Sequence, residues 1–349
     1  MFRTKTFFGL LATIVVVGAV AGGWLQKKGV QEFRPGLAVE EGSAPRPQST
    51  GERTWRERPS RKVYTVGADQ PVFFGPLRAK VSPDGRLFVV DYGDFKVKEI
   101  SPEGAVVQTY GNGKGQGPGE FSSLNDMAAS DGETVWVSDF SNGRITIFGR
   151  DGAILRTLRM TQQPYRIAPL SGDGFAMMLP PGSSQLFGLY DTAGKQKRSF
   201  GRYIEDQAVN SILLDGWLEP DRDGGFAFAG LHASFLVAYD GQGNRRFLVE
   251  TIAPKPLPKL QENSEGVRWV DREATPSSFS LSIADGKAHV LSYMDSGLKR
   301  IGVVDSYDLK DGSYLFSRRL PETCQWVVVA EDAMYTVTET TASKWVLEL

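Results

Sequence analysis

Two short strings hold most of the side chains that could do chemistry. Asp91-Tyr92-Gly93-Asp94-Phe95 interleaves two carboxylates with two aromatic rings, and Asp139-Phe140-Ser141-Asn142-Gly143-Arg144 brings together a carboxylate, an amide and a guanidinium. Such groups on a loop suit recognition, because the polar atoms fix orientation while the rings supply apolar contact area. A second reading is internal: Asp139 and Arg144 pair across their loop, and Asn142 or Gly143 takes a left-handed turn conformation. A third region surrounds Trp269, where Arg268, Asp271 and Arg272 add the arginine and aromatic character found at binding hot spots. The candidate ligand-binding set is therefore Asp91, Tyr92, Asp94, Asp139, Phe140, Asn142, Arg144, Arg268 and Trp269.

Catalytic chemistry is harder to place. The chain has 2 histidines, His232 and His289, in separate segments, whereas a zinc site usually takes at least three protein ligands. Asn125, Asp126, Asp215, Glu219 and Gln325 could line a wet interior, either simply as polar residues there or as carboxylate and amide ligands to a divalent ion. A serine nucleophile would need a context such as Gly-x-Ser-x-Gly, which is not present. The glycine-rich run Gly111 to Gly117 lacks P-loop spacing, Pro118 interrupts any dinucleotide fingerprint, and a strand follows, so no helix N-terminus is available for an anion. Its glycines fit a connector that needs unusual backbone angles. No catalytic residue, metal or cofactor is assigned.

A formal net charge of -1 and a pI near 6.2 give no electrostatic ground for a nucleic-acid partner. Cys324 is the single cysteine, so no intramolecular disulfide forms and the fold must rest on its core. At the N-terminus, Arg3 and Lys5 precede an apolar run from Phe7 to Leu25, with Lys27-Lys28 behind it and a small-residue stretch at Ala19-Val20-Ala21. That is the layout of an export signal or a single membrane anchor. It implies an extracytoplasmic location, periplasmic or secreted, with attachment to the inner membrane if the segment is uncleaved. Residues 29–60 turn to Pro, Gly, Ser, Glu and Arg with little apolar periodicity, which predicts a disordered tether.

The elements that must position the candidate residues are short. Beyond residue 60 the chain becomes apolar runs of strand length separated by Gly and Asp turns. Gly85 and Gly132, then Gly104 and Gly152, recur 47 and 48 residues apart. Two registers that agree define a repeat, and the same strand spacing continues through Tyr165 to Phe200, Ser211 to Ile252, Ser278 to Leu320 and Gln325 to Leu349. In the fifth unit an extra segment lies around Asp295 to Lys299. The last unit is one strand short, and Arg61 to Gly67 is an orphan strand able to complete it. The spacing predicts an all-β chain: a six-bladed β-propeller of four-stranded antiparallel blades over 61–349, preceded by a signal or anchor helix over 1–28. In that fold the Asp91 and Asp139 loops share one face with two long connections, Arg202 to Asn210 and Ala253 to Pro276, the second of which carries Trp269.

The Gly117 to Phe121 lead-in, GPGEF, and the Asp139-x-x-Asn142-x-Arg144-Ile145 string resemble NHL-type repeats. The unit from Leu77 to Tyr110 is similar, with Asp91 and Lys96 at the matching positions, and SPDGRLFVV at Ser82 to Val90 is also similar to TolB-type repeats. The resemblance implies a propeller, and with it two classes of function. One is a binding or scaffold module for a protein, peptide or glycan. The other is a metal-dependent hydrolase or lactonase working in the channel, since NHL-like lyases hold zinc through histidines and propeller lactonases hold a divalent metal through carboxylates and amides. We expect the first class, and no nucleic-acid partner.

Overall fold

The computed structural model describes residues 31–33, 44–129, 132–171, 174–180, 183–204, 213–271, 274–296 and 299–348. The expected signal or anchor over 1–28 lies outside them.

A short strand β1 (Gln31–Phe33) precedes β2 (Ser60–Val66). Blade one contains β3 (Pro76–Val81), β4 (Leu87–Asp91), β5 (Lys96–Ile100) and β6 (Val106–Tyr110). Blade two contains β7 (Leu124–Ala128), β8 (Thr134–Asp139), β9 (Arg144–Gly149) and β10 (Ile154–Arg159). In blade three these are β11 (Arg166–Leu170), β12 (Gly174–Met178), β13 (Phe187–Tyr190) and β14 (Gln196–Phe200). Blade four has β15 (Gly216–Pro220), β16 (Phe226–Gly230), β17 (Phe235–Tyr239) and β18 (Arg245–Glu250), and a hairpin of β19 (Leu260–Glu262) and β20 (Arg268–Val270) follows it. Blade five has β21 (Ser280–Ala284), β22 (Lys287–Ser296), β23 (Lys299–Asp308) and β24 (Tyr314–Arg319). The last three strands are β25 (Trp326–Ala330), β26 (Ala333–Val337) and β27 (Ala342–Leu347).

Each blade is an antiparallel meander running from the innermost strand to the outermost, and the expected six-bladed propeller is the observed fold. The missing strand of blade six is β2, which pairs antiparallel with β27 from Ser60 opposite Leu347 to Val66 opposite Ala342. Innermost strands of neighbouring blades pack on one another around the ring, including β25 against β3 where the circle closes. The closing strand is locked on its far side too. Gly104 has φ 95°, and a Cβ there would lie 2.6 Å from the Tyr64 ring of β2, so only glycine lets the last turn of blade one sit against the closing strand.

The burial pattern follows from radial packing. Middle strands such as β4 and β16 are buried at every position because each blade is covered on both faces by its neighbours, so they read as continuous apolar runs. Outer strands β6, β10 and β14 are largely exposed. Aromatic rings fill the wedges between blades: Phe187 has Phe226, Phe228 and Tyr239 at centroid distances of 5.3 to 5.5 Å, all edge-on. In blade five, the extra residues lengthen the middle hairpin to two strands of 10 residues each.

The tether expected over 29–60 needs correction for residues 44–60. Arg46 forms a parallel bridge to Val249 of β18, and Trp55 one to Ser317 of β24. Arg53 grips Asp305 side-on, Nε to Oδ1 at 2.8 Å and Nη2 to Oδ2 at 2.9 Å, while Ser292 and Ser317 also donate to that carboxylate. The segment is thus a strap that lies along the outer strands of blades four and five before entering blade six as β2. Backbone pairing and two ion pairs, Arg53–Asp305 and Glu57–Arg319, order it, and none of these needs the apolar periodicity whose absence suggested disorder. β1 likewise pairs with β19 rather than standing free.

Two outcomes follow. Deleting Ser60 to Val66 bares the edge of β27, so thermal unfolding should lose its single cooperative transition or shift it down by at least several degrees; an unchanged transition would refute the closure. Arg53→Ala strands Asp305, which is 2% exposed, without its countercharge. Urea denaturation should register a loss of about 3 kcal/mol.

Candidate functional site at the channel mouth

The loops between second and third strands bond back to the residues that lead into the innermost strands. Tyr92 N donates to Gly75 O, Phe140 N to Ser123 O and Leu231 N to Asp215 O. These loops and the blade-to-blade connections therefore share one end of the ring, here termed the loop face.

Asp91 and Asp139 build that face from inside. Each ends the second strand of its blade, is 0% exposed, and accepts hydrogen bonds from the backbone leading into the first strand. Asp139 accepts from Ser122 N at 3.2 Å and Ser123 N at 2.9 Å, and from the Asn142 amide at 2.6 Å. Asp91 accepts from Phe74 N at 2.9 Å and Gly93 N at 3.0 Å. Arg144 Nε stands 3.8 Å from Asp139, and its other nitrogens donate to the carbonyls of Gln116, Gly117 and Glu120. The partner of Asp91 is Lys98, not the Lys96 that aligns by sequence: Lys98 Nζ lies 2.5 Å from Asp91 and 2.8 Å from Asp94, and donates to Val72 O. Asp91, Asp139 and Arg144 are consequently spent inside the fold, which corrects their expected place on a ligand surface. The glycine-rich run also becomes intelligible, because the carbonyls of Gln116 and Gly117 hold Arg144.

Tyr92, Asp94, Phe140 and Asn142 remain half-buried at the rim. Phe140 meets Tyr165 edge-on with ring centroids 5.8 Å apart, and Tyr92 packs on Phe95 at 4.6 Å. Phe74 stands beside this loop with 63% of its surface exposed and Lys98 Nζ 4.8 Å above its ring. Arg268 and Trp269 are not gathered with them. Both lie on β20 of the β1-β19-β20 sheet, where Arg268 donates to Glu262 at 2.6 Å and Trp269 Nε1 to Gln261 at 2.9 Å. Leu260 of β19 belongs to the buried apolar cluster that includes Leu213, Leu214 and Tyr203, and Val270 of β20 packs against that cluster.

The channel holds what the loops do not. Innermost strands β3, β7, β11 and β15 bring Arg78, Lys80, Asp126, Arg166 and Glu219 toward the axis, with Asp215 and Tyr165 at the threshold. Blades one and two carry a β-bulge at the same place, Leu77 and Asn125, which sets Arg78 and Asp126 in equivalent slots. Asp126 Oδ2 accepts from Ile167 N of blade three at 3.0 Å. Arg166, 2% exposed, donates to Asp215 Oδ1 and to Gly216 O, each at 3.0 Å, and stacks 4.1 Å over Tyr165, whose hydroxyl donates to Asp215 Oδ2 at 2.8 Å. Lys80 crosses from blade one to blade four, 3.1 Å from Leu218 O and 3.0 Å from Glu219. Trp217 and Trp326 meet edge-on beside these groups with rings 4.8 Å apart at 87°, and Trp326 Nε1 donates to Ala79 O at 2.8 Å.

Burial governs the titration of these groups. It depresses the Arg78 guanidinium to about 10, and the like charge of Arg166 adds to the fall. Burial pushes Tyr165 up to about 12 and the Glu219 carboxyl up to about 7, the latter against the pull of Lys80. It lowers His232 and takes His289 down to about 3. His289 is engaged with Ser306 at 2.9 Å in blade five, so the two histidines serve no common centre. Among the described residues, no three His, Cys, Asp or Glu side chains are grouped to hold a metal ion.

Of the polar residues expected along the interior, Asp126, Asp215 and Glu219 are in the channel region, but sequence reading passed over its cations. The available signal was the alternation in PLRAKV: Arg78 and Lys80 fall on the same side of β3, facing inward from an innermost strand. The Glu219 carboxyl gives a pH test. A carboxyl raised on folding supports stability below its unfolded value near 4.5 and loses that support as pH rises through about 7. Glu219→Gln should therefore flatten the fall in melting temperature between those two pH values; parallel profiles for both proteins would contradict it.

No family model and no curated protein matches the chain. Solved structures do. A Bacteroides fragilis protein described as exported aligns over 87% of this chain and 99% of its own at 9% identity, with a TM-score of 0.55. A member of the DUF4221 family from Bacteroides vulgatus aligns over 93% and 99% at 10% identity, with a TM-score of 0.51. The WD40 domain of Neurospora crassa Pan2 aligns over 85% and 98% at 10% identity, with a TM-score of 0.50. At such identities the likeness is one of fold, and it agrees with the strand pairing: this chain has the architecture of a six-bladed β-propeller.

Proposed function

We propose that this chain is an extracytoplasmic binding or scaffold propeller whose loop face takes a protein, peptide or glycan. The observation that carries this reading is the set of four aromatic rings on the loop face: Phe74, 63% exposed, and Tyr92 at blade one, and Phe140 and Tyr165, which meet edge-on beside the buried Arg166–Asp215 pair. Rings held by a rigid scaffold offer contact area at little entropic cost. The N-terminal apolar segment supports a location outside the cytoplasm, periplasmic or secreted, or held at the inner membrane. NHL-type ancestry of blades one and two belongs to the same reading, and the matched Asp91 and Asp139 clamps with their shared bulge position support it. Tyr92, Asp94, Phe140 and Asn142 are the residues of the original candidate set that this face presents.

Capture from envelope extracts and glycan arrays should distinguish the face from the rest of the surface. The triple variant Phe74→Ala/Phe140→Ala/Tyr165→Ala should lose at least about ten-fold of whatever the native protein enriches, the scale expected when hot-spot rings are truncated. A control with Val107→Ser and Leu155→Ser on the exposed outer strands should retain it. Equal retention by both variants would remove the loop face from the function.

A further inference from the structure

Arg78 stands out among the buried charges of the molecule. It is 7% exposed, yet its Nε is buried without an acceptor, and no ion pair reaches its guanidinium among the described residues. Every other cation of the channel is engaged: Arg166 by Asp215 and Gly216 O, Lys80 by Glu219 and Leu218 O. Asp126, which fills the equivalent slot in blade two, is satisfied by the backbone of the next blade. Nothing in blade one repeats that arrangement. The Arg78 guanidinium instead reaches across the axis to within 5.5 Å of the Trp217 ring, with Arg166 on the same ring at 5.6 Å.

A buried guanidinium with no hydrogen-bonded or ion-paired partner is costly, and such a group in a cleft is a candidate for one that a ligand engages. We propose that the upper channel is a carboxylate-binding site in which the Arg78 guanidinium receives the anion while Arg166 and Trp217 fix its position. The inference rests on the loop face being the binding face, since that face leads to the site. A planar fork of N–H donors matches a planar carboxylate. Asp126 and Asp215 lie close enough to act on Arg78 without pairing with it, so each further negative charge on an anion adds repulsion and a monoanionic carboxylate is favoured over a phosphate dianion. An acidic sugar and a peptide terminus share the required group.

The test uses the purified full chain titrated with acetate, D-glucuronate, N-acetylglycine and inorganic phosphate, read by tryptophan fluorescence and by thermal shift. At least one carboxylate should bind saturably. The D-glucuronate and N-acetylglycine arms report whether the group comes from a sugar or a peptide. Arg78→Gln should weaken that carboxylate by about ten-fold or more, as expected for loss of a charge-assisted hydrogen bond. Without ligand, Arg78→Gln and Arg78→Met should melt at or above the native temperature, because an unpaired buried charge has been removed. A structural arginine would instead leave both variants several degrees less stable, and that result overturns the proposal. So does the absence of saturable carboxylate binding, or phosphate binding more tightly than every carboxylate. If the triple ring variant loses its envelope ligand while Arg78→Gln keeps it in full, the binding face stands and the carboxylate site falls.

Discussion

Antiparallel pairing of β2 with β27 is the constraint on which the ring depends. Five blades are built from consecutive strands and are local in the chain, but the sixth exists only when residues 60–66 meet residues 342–347. Without that pairing the blade-six sheet ends in an open edge, and the innermost strands of blades six and one lose the enforced proximity that packs β25 on β3. Gly104 and Tyr64 extend the lock to blade one, so closure is a contact among three segments. The strap is best understood from the same end of the chain: once β2 is fixed, the residues before it lie within reach of the outer strands of blades five and four.

The second organising rule is a division of labour among polar groups. Asp91 and Asp139 bind backbone N–H groups that would otherwise be buried without partners, which is what lets the chain pass from one blade's outer edge to the next blade's inner strand without a helix. Their exact bonding differs, since Lys98 serves one and Arg144 the other, yet the geometric task is shared. The channel charges do something else. Lys80–Glu219 and Arg166–Asp215 are matched across blades, so they tie opposite or adjacent sectors of the ring at its narrowest radius.

Most of the architecture was legible in the sequence because turn chemistry is local. Gly85, Gly104, Gly132 and Gly152 all adopt positive φ, so the spacing that marked the repeat was a direct imprint of backbone conformation. The orphan strand before blade one was also readable, from the deficit at the other end. The strap was not, because residues 44–56 are ordered through backbone pairing and the Arg53–Asp305 contact, neither of which leaves an apolar period. The candidate site was only partly legible. Asp139 and Arg144 were identified as a motif, but the choice between a surface role and an internal clamp depends on what the Ser122 and Ser123 amides do, a matter of tertiary placement. Arg78 and Arg166 look like ordinary surface residues until the strands that carry them are known to be innermost.

Lys80 extends from blade one to blade four and takes the Leu218 carbonyl and Glu219 there, which makes it a bolt across the shaft of the propeller. A lysine that spans the shaft in this way couples two blades that share no sheet and are not neighbours in the ring, so strain in one is felt directly by the other.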